Sequence, residues 1–261
     1  QQDEHRNVMI TPQPVTLTLE NLSDTHSPSI LINYSVTEKA DGDRFLLYIN
    51  DKGEGYLLNL TGVTRYNARN YMNIIPTGVK FTKIKNAIID GEYVTRTVDD
   101  KAIRVFLYFD IYLYPNTKTD VFKMPFKSND NNCRTYYMDK FNKEYNDDKL
   151  CEKNKDSIMF EKKIYYHGGN KLSTNILKLS NNILKRAKEK GYIYHIDGLI
   201  FIPSNLSVKG ESIGDIKKNI SGTWSLNFKW KPPEENTIDF MVESRMDTKK
   251  NREKIVYSVN E

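Results

Sequence analysis

Apolar residues along most of this chain fall in short blocks divided by turn formers, and in one stretch they fall at helical spacing. Arg44 to Ile49 (RFLLYI) has the length and composition of a buried strand, and Gly55 to Leu60 matches it as a partner. Asn50-Asp51-Lys52-Gly53 between them is a hairpin turn by composition. Further strands are predicted at Asn86 to Ile89 leading into Asp90-Gly91, at Ile103 to Leu113, at Gly198 to Ile202 and at Ser225 to Trp230, with Thr237 to Val242 as another. Between Ser173 and Lys190 the residues Ile176, Leu177, Leu179, Ile183, Leu184 and Ala187 recur close to a 3.6-residue period. Ser173 or Thr174 can cap that helix and Gly191 can end it. Residues 8–38, broken by Pro12, Pro14 and Ser27-Pro28, read as an approach segment. Residues 115–155 turn polar, rich in Asn, Asp, Lys and Ser, and read as a surface insertion with short helices.

Many short strands and one amphipathic helix make an α+β domain of mostly antiparallel sheets flanked by helices. Its extent is predicted as 1–242, with 115–155 the polar insertion. The 261 residues supply enough apolar material for a core, and 38% hydrophobic with 28% charged lies in the globular range. No run approaches the roughly 20 apolar residues of a membrane span, since even Val105 to Tyr114 is interrupted by Asp110, so no membrane partner is expected. Gln1-Gln2-Asp3-Glu4 has neither an initiator Met nor signal-peptide character, and the chain reads as an excised segment of a longer one. Cys133 and Cys151 lack metal or disulfide spacing and read as free thiols in a reducing compartment. A net charge of +5 fits a phosphate-rich partner without identifying one.

Five short pieces carry candidate chemistry. In chain order they are Lys39-Ala40-Asp41-Gly42-Asp43-Arg44, Asp90-Gly91-Glu92, Tyr108-Phe109-Asp110, Asp197-Gly198-Leu199-Ile200-Phe201 and Lys229-Trp230-Lys231-Pro232-Pro233. The Asp-Gly pairs are expected at strand edges, where glycine lets the backbone turn while a neighbouring carboxylate or lysine faces a cleft. A lysine is nucleophilic only as the neutral amine, so a lysine used in this way needs surrounding cations or a metal to hold it uncharged. In a strand, Lys229 and Lys231 share one face and Phe228 and Trp230 the other, an arrangement suited to a triphosphate. By themselves these are also two solvated lysines on an edge strand.

Taken together and in this order, the pieces resemble the covalent nucleotidyltransferase superfamily, that is, the mRNA capping guanylyltransferases and the polynucleotide ligases. Lys229-Trp230-Lys231-Pro232-Pro233 followed by Asn236-Thr237-Ile238-Asp239-Phe240 is similar to the capping branch, especially that of large DNA viruses. The resemblance runs from about Val15 to Val242. It implies that Lys39 attacks the α-phosphate of GTP, expelling pyrophosphate and forming a lysyl-N-GMP intermediate, and that GMP then passes to the 5′-diphosphate end of RNA. It further implies that Arg44 and Glu92 hold the ribose, that Phe109 stacks on the base, that Asp197 serves the divalent metal (Mg²⁺ or Mn²⁺) and that Lys229 and Lys231 bind phosphate. Arg65, with Arg69 nearby, falls where a second nucleotide-contacting arginine is found. Lys163, in competition with Lys162, matches a lysine that reads the guanine carbonyl, although the segment 160–166 alone reads as a solvated strand face.

Asp41 is assigned to the turn, and His167 and His195 to structural roles. The resemblance also implies an OB-fold lid beyond this domain. The lid is expected to be absent here, with 243–261 a linker or the start of that missing domain and Arg245-Met246-Asp247-Thr248-Lys249 a chance likeness to its basic motif. Triphosphatase and methyltransferase domains are expected in the same longer chain. The expected location is the host cytoplasm, a viral factory or the virion. Two other readings stand beside this one: an ATP-dependent RNA or DNA ligase adenylylation domain, and a non-catalytic RNA- or partner-binding module.

Overall fold

Two residues, Asp41 and Gly42, join strands that belong to different sheets, and this corner organises the molecule. The computed structural model describes residues 11–59, 73–235, 241–247 and 252–258. Gln1–Trp230 form one unit and Lys231–Glu261 another. In the first unit the strands are β1 (Pro12–Thr16), β2 (Tyr34–Ala40), β3 (Asp43–Ile49), β4 (Glu54–Asn59), β5 (Asn73–Phe81), β6 (Ala87–Arg96) and β7 (Ala102–Leu113). These are followed by helix α1 (Arg134–Tyr145), the strands β8 (Cys151–Lys153), β9 (Met159–Lys162) and β10 (Tyr166–His167), helix α2 (Asn175–Lys188), and the strands β11 (Ile196–Pro203) and β12 (Gly222–Trp230).

Seven strands pair in the order β8-β5-β4-β3-β6-β7-β9 and five in the order β1-β12-β11-β2-β10. Neighbours are antiparallel except β7–β9 and β1–β12. The β-rich, mostly antiparallel class with helices agrees with the expectation from the sequence.

At the corner, β2 belongs to the five-stranded sheet and β3 to the seven-stranded one. The amide of Asp41 donates to the carbonyl of His195 at 2.9 Å, tying the turn to the start of β11. A Cβ on Gly42 would stand 2.8 Å from the carbonyl oxygen of Tyr93, so only glycine lets β6 come this close. The other two Asp-Gly pairs are not at strand edges as expected. They lie inside β6 and β11, each at a register shift. At Gly91 a Cβ would meet the ring of Phe106 at 2.5 Å. Glycine at the β6 bulge is demanded by close packing rather than by a turn.

The segment read as a polar surface insertion is part of the core. Arg134, Met138, Phe141 and Tyr145, spaced 4, 3 and 4 residues apart, make the buried face of α1. The last three join Val121, Met124 and Phe126 in the apolar cluster over the seven-stranded sheet. The composition of the segment hid this because its other helix positions are polar.

The approach segment is likewise structural: β1 is an edge strand, and the prolines that obscured it are tolerated at a sheet edge. Helix α2 forms as predicted and packs on the five-stranded sheet through Ile176 and Ile183, with Leu179 and Leu184 partly buried; Leu177 stays exposed. Thr174 occupies the N-cap without a side-chain hydrogen bond. At the other end Lys190, not Gly191, takes the left-handed conformation (φ 54°). Its amide donates to Ala187 and that of Gly191 to Arg186, the paired bonds of a Schellman ending.

The C-terminal unit contains the antiparallel strands β13 (Met241–Asp247) and β14 (Arg252–Ser258), within the stretch read as a linker or the start of a further domain. Among the described residues no helix is long and apolar enough to cross a membrane. Cys133 and Cys151 are buried free thiols.

Candidate active site

Because the corner turns between sheets, Lys39 at the end of β2 and Arg44 at the start of β3 line the same cavity, of about 310 Å³. The five-stranded sheet supplies Lys39, Ile200, Asn227 and Lys229. Register sets this wall: Ile200 pairs with Thr37 on one side and with Lys229 on the other, while Lys39 pairs with Gly198. The seven-stranded sheet supplies Arg44, Glu92 and Phe109, and the chain after β9 adds Lys163 and Tyr165. Apolar Phe109 and Ile200, contributed by different sheets, line the cavity among the charged groups.

The Lys39 amine donates to both carboxylate oxygens of Asp197, at 2.8 and 2.9 Å. This corrects one expectation. The group in contact with Lys39 is an anion, not the surrounding cations invoked from the sequence, because the bulge before Gly198 brings Asp197 of β11 against β2. Any reaction at Nζ requires that pairing to be given up.

Arg44 is fully engaged. Nε and Nη2 reach the two oxygens of Asp90 at 3.0 and 2.5 Å, and Nη1 donates to the carbonyl of Pro12 at 2.8 Å. Burial works against its charge, but the Asp90 carboxylate beside it more than compensates and raises its pKa. Tyr112 also donates to Asp90. The guanidinium lies 5.4 Å from the centre of the Phe109 ring, and the Lys163 ammonium 5.7 Å from it.

Lys163 is 5% exposed, so it does not lie on the solvated face expected of its segment, although Glu161 and Ile164 there are exposed. Its amine donates to the main-chain carbonyl of Glu38 and lies 3.7 Å from the Glu38 carboxylate. That carboxylate also accepts from Thr37 at 2.7 Å and from Tyr194 at 3.1 Å. Lys162, its competitor, pairs outside the cavity with Asp139.

Burial pushes the Glu92 carboxyl up to about 7, against the pull of Lys163, Lys39 and Arg44 in the other direction. Between its ordinary value of 4.5 and about 7 the folded protein therefore holds a proton that the unfolded chain has released. Stability contributed through this group is complete below 4.5 and declines as pH rises through 7. Glu92→Gln is expected to remove that slope. Relative to the unsubstituted chain it should gain on the order of 2 kcal/mol between pH 5 and pH 8, read from urea denaturation at the two pH values. An unchanged slope would rule out Glu92 as its source.

Arg65 and Arg69 fall outside the described residues, as does Asn236-Thr237-Ile238-Asp239-Phe240. Lys231 is the first residue of the C-terminal unit. His167 is bonded to Ser35 at 2.6 Å, and burial pushes its pKa down to about 4. Phe228 and Trp230 pack in the cluster that contains α2, opposite to Lys229, as strand alternation requires.

Asn227, Ile200 and Glu38 were not singled out from the sequence. Alternation extended one step back from Lys229 would have placed Asn227 on the cavity face. No local signal marks Gln13 and Pro14, which also line it. Among the described residues no group of three or more His, Cys, Asp or Glu side chains could by itself hold a metal.

The family described as the mRNA capping enzyme catalytic domain matches residues 3–233. A probable mRNA-capping enzyme of Acanthamoeba polyphaga mimivirus is 27% identical over 289 residues, covering 94% of this chain and 22% of the relative. An mRNA-capping enzyme of Caenorhabditis elegans is 26% identical over 240 residues, covering 88% of this chain and 32% of the relative. The chain thus spans between about a fifth and a third of the length of these relatives.

Proposed function

Given that the chain belongs to the mRNA capping enzyme catalytic domain family, we propose that it carries out the guanylyltransferase step of cap formation, with Lys39 as the nucleophile. The observation that carries this is the convergence on one cavity of Lys39, three further cations (Arg44, Lys163, Lys229) and the Phe109 ring. Nζ of Lys39 attacks the α-phosphorus of GTP. A P–N bond forms, the P–O bond to the β-phosphate breaks, and pyrophosphate leaves. The carboxylate of Asp197, 2.8 Å from Nζ, holds the amine in place before the ion binds, and the amine attacks once its proton has passed to solvent. Lys229 and Lys163 supply positive charge and hydrogen-bond donors at the cavity wall. In the second half-reaction a terminal oxygen of a 5′-diphosphate RNA attacks the same phosphorus and releases Lys39.

The donor set fits a magnesium-like ion, which takes one or two carboxylates and completes its shell with substrate phosphates and water. Asp197 would hold Mg²⁺ or Mn²⁺, and the ion would supply Lewis-acid charge for the phosphate oxygens. Triphosphatase and methyltransferase activities belong to the proposal only as neighbours in a longer chain, in keeping with the share of its relatives that this chain spans.

Incubation with α-labelled GTP or ATP and MgCl₂ or MnCl₂, followed by denaturing electrophoresis, tests the reading. The expected result is acid-labile GMP attached to the polypeptide. Label from ATP alone would point to a ligase, and no label from either to a binding module.

A further inference from the structure

Glu38 directly precedes Lys39 in β2 and is 2% exposed. Strand alternation sends its side chain the other way. Thr37 and Lys39 line the cavity described above, whereas Glu38 lines a second one, of about 250 Å³, and Lys163 lines both. Burying a carboxylate is costly unless it is paired and hydrogen-bonded. Glu38 meets that cost with Thr37, Tyr194 and the ammonium of Lys163.

The contact with Lys163 joins the two sheets. The main-chain amide of Lys163 donates to the carbonyl of Tyr108 in β7 at 2.9 Å, which fixes its backbone to the seven-stranded sheet. Its ammonium reaches the five-stranded sheet, where it meets the main-chain carbonyl and the carboxylate of Glu38. The Thr37 hydroxyl adds a second tie, 2.8 Å from the carbonyl of Ile164. Lys163 therefore bridges the two walls of the cavity with its amine near Phe109, and its charge acts on Glu92. A lysine stem is flexible and loses much rotamer freedom when its end is fixed. A cation anchored in the free protein has already lost that freedom before a ligand arrives.

We infer that Glu38 is a positioning residue for nucleotide binding: its carboxylate anchors the Lys163 ammonium at the cavity wall, so that GTP meets a cation already in place. This rests on the reading of the cavity as a GTP site. The sign of the effect separates anchoring from plain electrostatics. A carboxylate near the site repels a triphosphate, so on charge alone its removal tightens binding. Removal of an anchor weakens it.

Glu38→Gln takes away the charge and little else. The carboxamide can accept from Tyr194 and donate to Thr37, whose own proton still has the Ile164 carbonyl. Equilibrium binding of GTP with Mg²⁺ to this chain, to Glu38→Gln, to Lys163→Met and to the double variant tests the inference, each measured below its melting temperature. Each of the three variants is expected to bind GTP roughly tenfold more weakly. The double variant should be no weaker than either single one, because an anchor and the cation it holds act as a unit. It should also melt higher than Lys163→Met, since no buried charge is left unpaired, and still bind no better.

GTP affinity in Glu38→Gln equal to or tighter than that of the unsubstituted chain would overturn the inference. Losses that multiply to roughly a hundredfold in the double variant would do so too, because Glu38 would then act without Lys163. Affinity that recovers together with stability in the double variant would show a merely structural role and overturn it as well. Should Lys163→Met fail to fold, Glu38→Gln and the double variant decide: equal affinity supports the inference, and a further tenfold loss on removing Lys163 sinks it. If the unsubstituted chain binds no GTP, the reading of the site fails and the inference with it, a result distinct from any of these.

Discussion

Lys39→Ala is expected to yield a folded protein that takes up no label from GTP. The lysyl-N-GMP bond cannot form without the amine, and two of the other cations lining the cavity are poor substitutes. Arg44 cannot lose its proton, and Lys163 is tied to Glu38. Labelling should fall by roughly three orders of magnitude or more, below detection. The fold should survive, because the Lys39 side chain is 24% exposed and its one ion pair is with Asp197, itself 11% exposed. Taking Lys39 away from that carboxylate costs about 1–2 kcal/mol, less than for a fully buried pair.

Lys39→Arg separates charge from nucleophilicity. It should keep the ion pair and the melting temperature and still show no label, since a guanidinium does not deprotonate. Electrophoresis of the labelled proteins and a thermal melt read both outcomes. Persistent label on Lys39→Ala would remove Lys39 from the chemistry.

Arg134→Met is expected to cause the largest loss of stability of any single change considered. Arg134 is 0% exposed. Its Nε donates to Asp110 at 2.8 Å, and Nη1 donates to the carbonyls of Met124 and Leu206 at 2.8 and 3.0 Å. Removing it strands a buried carboxylate and two carbonyls at once, a loss of about 3–5 kcal/mol. Asp110 also faces Asp90 directly across β6 and β7, so the loss leaves the two carboxylates opposed without the cation paired to Asp110.

Burial pushes the Asp110 carboxyl up, and Arg134 pulls it back down. Without the arginine the native state must bind a proton there or carry the charge unpaired. The deficit should therefore widen as pH rises above the ordinary carboxylate range. Urea denaturation at pH 5 and pH 8 would show it. The double variant Arg134→Met/Asp110→Leu should recover much of the loss, as replacing both partners of a buried pair commonly does. A double variant no better than Arg134→Met would mean that the two carbonyls, not the carboxylate, set the loss.

The same pair explains why residues 115–155 were misread. Their composition is polar, but Arg134, Met138, Phe141 and Tyr145 fall on one helical face, and the most polar member of that face is neutralised by Asp110 on another element. Residue-by-residue hydropathy cannot register a charge cancelled across 24 positions. The same limit applies to Lys163, whose burial depends on Glu38, 125 residues away. By contrast β3, β4, β7 and α2 were readable, because an apolar block, a turn and a helical period are properties of adjacent residues. The β1 strand was not, since its prolines look like breakers until an edge position accommodates them.

The sequence by itself determined the residue types the chemistry calls for, their order, and the strands and helix that carry them. Alternation alone put Lys229 opposite Phe228 and Trp230. The tertiary structure decided what those residues do to one another. It turned the chain between sheets at Asp41-Gly42, set Asp197 rather than a cation against Lys39 across 158 positions, brought Asn227 to the cavity wall and buried Lys163. The physical reason is that side-chain direction within a strand is local, while the identity of the facing group follows from strand register, which is settled only when the whole sheet closes over its core.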